Sequence, residues 1–94
     1  MTLTLDDRMR PSPDALYKNL DGEAVLVSLK NSTYYGLDEI GTRIWELIDE
    51  RRSLAEVLAR VVAEYEVAEE RARGDLLRLA GELLEHGLLE REGE

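Results

Sequence analysis

The stretch EAVLVSLKNSTYYGLDEIGTRIWELI, running from Glu23 to Ile48, decides the fold. Its first part alternates: Val25, Val27 and Leu29 share one side of an extended chain, and Leu26 and Ser28 the other. Asn31-Ser32 follows as a turn. Thr33-Tyr34-Tyr35-Gly36-Leu37 is then a short strand of β-formers, with Tyr35 and Leu37 directed to the core and Tyr34 to the opposite face. After Leu37 the period changes. Asp38 is a suitable N-cap, and Ile40, Ile44, Leu47 and Ile48 recur at helical spacing with Trp45 to one side.

Upstream, Asp21-Gly22 reads as a hairpin turn because Gly supplies positive φ, so Ala15–Leu20 becomes a strand partner for Glu23–Lys30. Downstream, Ser53 opens a second helix, and Glu56 three residues on completes a capping box. Leu54, Val57, Leu58, Val61, Val62 and Tyr65 form its apolar face. A third helix runs from Ala68 to His86 and stops at Gly87, after which Leu88-Leu89 fold back onto the core. The predicted architecture is α+β and winged-helix-like: a three-stranded antiparallel sheet followed by a three-helix bundle. Residues 1–13, with Pro11 and Pro13, are expected as a flexible N-terminal arm, 14–89 as the folded domain and 90–94 as an acidic tail.

Composition removes several function classes. A chain of 94 residues is one small domain. No apolar run approaches the ~20 residues of a membrane span, and the charged N-terminus lacks a signal peptide's apolar segment, so the expected location is the cytoplasm with no membrane partner. There is no cysteine and a single His86, which argues against a thiolate or histidine metal centre and against any cofactor built on one. Most carboxylates stand beside Arg at helical spacing, as Glu56 does with Arg60, which is the pattern of solvated ion pairs rather than of a catalytic dyad. No glycine-rich phosphate loop occurs, and the chain is not expected to be an enzyme.

Charge argues against nucleic acid. The chain carries 12 basic and 21 acidic side chains, net −9, of which residues 38–94 hold eight basic and sixteen acidic, net −8. The third helix, the natural reader in a winged-helix layout, has Arg71, Arg73 and Arg78 against five acidic residues, net −2. A phosphate backbone is repelled by such a surface.

What remains is recognition of a peptide or protein. In a simple meander the first and third strands are edges. Pro11, Pro13 and Lys18 guard the first; the third, Thr33–Leu37, has neither Lys nor Pro. An unguarded edge suits β-strand addition, with Ser32, Thr33, Tyr34 and Tyr35 at the junction and Leu26 of the middle strand framing the path. The third helix has a broad apolar face: with Leu76 at zero, Leu77 and Leu84 lie ~80–100° round. Arg73, Leu76, Leu77, Ala80 and Leu84 are therefore expected to form the helix wall of a groove beside the edge. The expected state is a monomer, with the bare edge also able to pair with a second copy.

Leu20–Ile48 resembles the PqqD-like family, as do S-L-A-E-V (Ser53–Val57), D-L-L-R-L-A-G-E-L (Asp75–Leu83) and the closing Gly87–Leu89. The resemblance spans Tyr17 to Leu89 and rests on a Y-x-L-[DN]-x-x-G-x-x-I-W core. It implies a non-catalytic recognition element that binds the leader segment of a ribosomal precursor peptide, the leader adding as an antiparallel strand to the third strand and packing on the third helix. Leu29–Ser32 and Leu37–Gly41 differ from the P-E-G and L-N-x-[ST]-A of PqqD proper and look more like stand-alone recognition proteins of lasso-peptide clusters. That implies a leader peptidase, and a cyclase, as partners. The alternatives are a PqqD-type chaperone for pyrroloquinoline quinone synthesis, a winged-helix regulator, and a structural subunit of a larger enzyme.

Overall fold

The computed structural model describes residues 3–51 and 53–92. Strands β1 (Met9–Pro11), β2 (Ala15–Leu20), β3 (Glu23–Ser28) and β4 (Tyr34–Leu37) precede helices α1 (Glu39–Asp49), α2 (Leu54–Tyr65) and α3 (Glu69–Glu85), and β5 (Leu89–Arg91) closes the chain. β2, β3 and β4 form the expected antiparallel meander, in that order. Asp21 and Gly22, both at positive φ, make its first turn, and Ser32, also at positive φ, sits in the second. No helix among the described residues is long and apolar enough to cross a membrane.

A second, two-stranded sheet is the departure from the expected layout. β1 pairs antiparallel with β5, Met9 opposite Arg91 and Pro11 opposite Leu89. Residues 9–13 are thus not a free arm: Met9 and Ser12 are buried, and Ser12 N donates to Leu88 O. The segment before β1 is tied down as well, since Leu54 N donates to Asp7 O and Ala55 N to Leu5 O. At the other end, Glu90 and Arg91 belong to β5 rather than to a loose tail, with Arg10–Glu90 and Arg91–Asp7 ion pairs across the two ends. Three-residue strands are too short to show a period, and their pairing is fixed by the core beneath them.

The caps are where the sequence places them. Asp38 Oδ1 accepts from Gly41 N at 2.8 Å, and Ser53 and Glu56 close a full capping box. α3 ends at the cap His86 with Gly87 at φ 74°. There Gly87 N donates to Leu84 O and Leu88 N to Leu83 O, the paired bonds of a Schellman turn that aims Leu88 and Leu89 back into the core.

The core lies between the sheet and the helices: Leu26, Leu37, Ile44, Leu47, Ile48, Leu54, Val57, Leu76, Leu83 and Leu88 are all buried. On β3 the buried face is Ala24, Leu26 and Ser28, so the more apolar-looking set, Val25 and Val27, points outward with Leu16 and Tyr34 beside it. α1 is held under the sheet by Thr42, whose buried Oγ1 accepts from Ala24 N at 2.9 Å. Arg43 clamps α1 to α2 through both oxygens of Glu64, at 2.8 and 3.0 Å, which raises its own proton affinity and lowers that of Glu64.

Candidate functional site

The site starts from a backbone fact. Ser28 N donates to Thr33 O at 2.8 Å, and the β3–β4 register continues with Leu26 opposite Tyr35 and Ala24 opposite Leu37. In an antiparallel ladder, hydrogen-bonded and non-bonded pairs alternate. Tyr35 therefore turns both its N–H and C=O to β3, Thr33 its C=O while its N–H donates to Asn31 Oδ1, and Leu37 its N–H while its C=O meets the Thr42 hydroxyl; Tyr34 and Gly36 aim their groups away from β3. Among the described residues no other strand pairs with β4. The open edge thus offers two donors and two acceptors at strand spacing. A Cβ built on Gly36 meets nothing within 4 Å, and Tyr34 is 74% exposed, so approach is unhindered.

Tyr35 fastens this edge to α3. Its hydroxyl donates to Glu82 Oε1 at 2.8 Å, and Arg78 Nη1 meets Glu82 Oε2 at 2.7 Å. Burial, and then the Glu82 carboxylate, push the phenol up from its usual range; the Tyr35 hydroxyl and then Arg78 hold the Glu82 carboxyl below its own. The ring also meets the His86 ring edge-on at 5.7 Å. His86 Nδ1 lies 2.7 Å from Glu82 O, and because a carbonyl only accepts, that nitrogen carries a proton. Asn31 Nδ2 donates to His86 O, joining the turn before β4 to the same helix end.

Between the edge and α3 runs a groove of about 310 Å³. Leu37, Ile40, Ile44 and Leu79 give it an apolar lining, and Asp38, Asp75 and Arg78 contribute charge. Gly41 allows the end of β4 to settle on α1, since a Cβ there would stand 3.2 Å from Asp38 Oδ1 and 3.3 Å from Leu37 Cδ2. Chemically this is a binding site: hydrogen-bonding backbone on one side, apolar surface in the middle and charges at the rim.

The expected site residues separate into three groups. Ser32, Thr33, Tyr34 and Tyr35 stand at the open edge or on the turn before it. Leu26, Leu76 and Ala80 do not line the groove: all three are buried in the core, facing the sheet–helix interior. Leu77 and Leu84 are half-buried on the opposite flank of α3, where they line a separate depression with Gly81 and Leu3. Arg73 is exposed at a helical position nearer to Leu77 than to Asp75 or Leu79. From α3 the groove is lined by Asp75, Arg78 and Leu79, not by the set expected from breadth of the apolar face, and Arg78 and Glu82 stand at the border with the Leu77–Leu84 depression. A helical wheel places Asp75, Leu79, Glu82 and His86 together, but which flank meets the sheet edge depends on how α3 is seated. The α1 contribution of Ile40 and Ile44 was read only as core.

Across residues 23–89 the sequence matches the family model described as Coenzyme PQQ synthesis protein D (PqqD). Two solved structures share the fold. One is described as "TbiB1 in Complex with the TbiA(beta) Leader Peptide", with a TM-score of 0.80 and 33% identity over 90% of this chain and 96% of that one. The other, "Lasso peptide synthetase B1 complexed with the leader peptide", has a TM-score of 0.79 and 25% identity over 88% and 98%. No curated protein matches the sequence.

Proposed function

The chain belongs to the PqqD family, and from that premise we propose that it is a non-catalytic binder of the leader segment of a ribosomal precursor peptide in lasso-peptide biosynthesis. The observation that carries the reading is the open β4 edge held beside an apolar groove by the Tyr35–Glu82 bond. The leader adds to the edge as an antiparallel strand, exchanging hydrogen bonds with Tyr34 and Gly36. Alternate leader side chains then fall into the groove over Leu37, Ile40, Ile44 and Leu79, and charged leader groups meet Asp38, Asp75 and Arg78 at the rim. Main-chain pairing sets register, and a few buried apolar anchors supply most of the affinity.

In this reading the recognition unit includes β1 and β5 with the meander and helices, and the domain works as a cytoplasmic monomer. It presents the bound precursor to a leader peptidase and then a cyclase, which carry out the chemistry. Both similar solved structures are described as leader-peptide complexes, one of them of a lasso peptide synthetase, which favours this pathway over pyrroloquinoline quinone synthesis. A net charge of −9 disfavours a DNA-binding regulator.

The test is a polarisation titration with fluorescein-labelled leader peptides, among them the TbiA(beta) leader seen with the similar TbiB1. Gly36→Pro removes an outward N–H that β3 does not use, and proline is tolerated on an edge strand in that position. Saturable binding by the wild type, weakened tenfold or more by Gly36→Pro with unchanged circular dichroism, is the expected outcome. Binding of equal strength to both proteins would defeat strand addition.

A further inference from the structure

The turn between β2 and β3 carries a reactive pair. Asp21 and Gly22 stand at φ 56° and 91°, both are exposed, and a Cβ built on Gly22 meets nothing within 4 Å. A glycine nitrogen next to an aspartate has no side chain of its own to shield it from the carboxyl group. Here that nitrogen is held from another side: Gly22 N donates to Asn19 Oδ1 at 2.8 Å. The Asn19 amide is itself oriented from α1. Its Nδ2 donates to the Tyr17 hydroxyl at 3.1 Å, and that hydroxyl donates to Glu46 Oε2 at 3.2 Å. The hydroxyl gives its one proton to Glu46 and only accepts from Asn19, so the amide turns its NH2 to Tyr17 and its oxygen to Gly22. Tyr17 is seated by stacking on Trp45, ring centroids 6.3 Å apart and planes 10° from parallel, and Arg43 Nη1 holds Glu46 Oε1 at 3.3 Å.

We propose that Asp21 is a site of spontaneous isoaspartate formation, and that the Glu46–Tyr17–Asn19 run of hydrogen bonds is the clamp that slows it. In the reaction the Gly22 nitrogen attacks Cγ of the protonated Asp21 carboxyl. The N–Cγ bond forms, the nitrogen loses its proton, and the Cγ–OH bond breaks with release of one water, leaving a cyclic imide. One water then adds back. Attack at Cγ restores aspartate; attack at the main-chain carbonyl carbon of Asp21 gives isoaspartate, whose main chain runs through Cβ and Cγ. Nothing is oxidised or reduced, and water is the only co-reactant. While Asn19 Oδ1 keeps the N–H, the nitrogen is held from swinging towards Cγ and from shedding its proton. The product lengthens the main chain by one carbon inside the turn that sets the β2–β3 register, which starts at Leu20 opposite Glu23. The next residue, Ala24, carries the N–H on which α1 is seated through Thr42, so the clamp protects the sheet that carries β4.

The experiment ages the purified full chain at neutral pH and counts isoaspartate by enzymatic methylation with labelled S-adenosylmethionine. Label is located in the tryptic peptide 19–30, in which Asp21 is the one aspartate. Wild type, Asn19→Ala, Tyr17→Phe and Asp21→Ala are compared folded and in urea, with Leu84→Ala as a variant destabilised away from the turn. Tyr17→Phe keeps the ring on Trp45 and loses only the hydroxyl. In urea every chain except Asp21→Ala is expected to gain label in this peptide, at rates within twofold of one another. Folded wild type is expected to age at least tenfold more slowly than in urea. Folded Asn19→Ala and Tyr17→Phe are expected to age at least threefold faster than folded wild type, and Leu84→Ala within twofold of it. Equal rates for folded wild type, Asn19→Ala and Tyr17→Phe would overturn the clamp. So would an equal acceleration in Leu84→Ala, which would assign the effect to opening of the whole domain. Absence of label from peptide 19–30 in both folded clamp variants, with the urea samples labelled, would overturn the site itself.

Discussion

Leu77, Gly81 and Leu84 line one flank of α3, whereas Asp75 and Leu79 line the other, with Arg78 and Glu82 on the ridge between. The first is the more apolar and is met by Leu3 of the same chain; the second is mixed and faces the open edge of β4. The difference teaches that apolar breadth on a helix measures how much of it is buried, including burial by its own terminal segment, and not which flank stands beside an open strand edge. The flank beside β4 is marked instead by polar groups that fix geometry. Tyr35, Glu82, Arg78 and His86 hold strand and helix at a set separation without filling the space between them.

The largest effect is expected where the flanks share a root. Leu76 is buried between them, and Leu76→Ala leaves a cavity costing about 2–5 kcal/mol in urea unfolding. A smaller effect separates the flanks. Leu84→Ala removes a half-buried side chain, for a cost of about 1 kcal/mol, and leaves leader affinity within twofold in the polarisation assay. A tenfold loss there would return the binding role to the leucine flank. Tyr35→Phe works in the opposite sense: it keeps the ring contact with His86 but loses the bond to Glu82, so leader affinity falls by roughly threefold to tenfold with little loss of secondary structure.

The smallest effect is in pH. The folded Glu82 carboxyl titrates below its ordinary range, first through the Tyr35 hydroxyl and then through Arg78. A folded value lower than the unfolded one gives stability that is complete above the unfolded value, about 4.3, and disappears as pH falls through the folded value. The urea midpoint of wild type is therefore expected to exceed that of Glu82→Gln at pH 7, with the two converging below pH 4. A gap that persists in acid would mean that Glu82 acts through packing rather than charge.

Much of the fold was legible because local chemistry carries it. Asp38 and the Ser53–Glu56 box announce helix starts, Gly87 a helix stop, and Asp21-Gly22 a hairpin. β1 and β5 were not legible. Neither Met9–Pro11 nor Leu89–Arg91 is long enough to show alternation, and Pro11 reads as a breaker until its position on a two-stranded edge is known. The outward face of β3 was ambiguous for a different reason. Val25 and Val27 are as apolar as Ala24 and Leu26, and only the seating of α1 against Ala24 through Thr42 decides which face is inside. At the site the edge residues followed from period two alone. The helix wall did not, because a wheel gives the angles between residues but not the direction from which a strand approaches.

The pairing of β1 with β5 has one more consequence. Glu92 N donates to Arg8 O, so β1 and β5, near the two ends of the described chain, lie side by side at neighbouring-strand distance while Leu3 and Leu5 run on over the helices. Strands that close a domain at both ends of its chain tie entry and exit to one small sheet, so cutting either strand loosens both ends at once. Among the described strands neither of these two pairs with β4, so the open edge is independent of that closure.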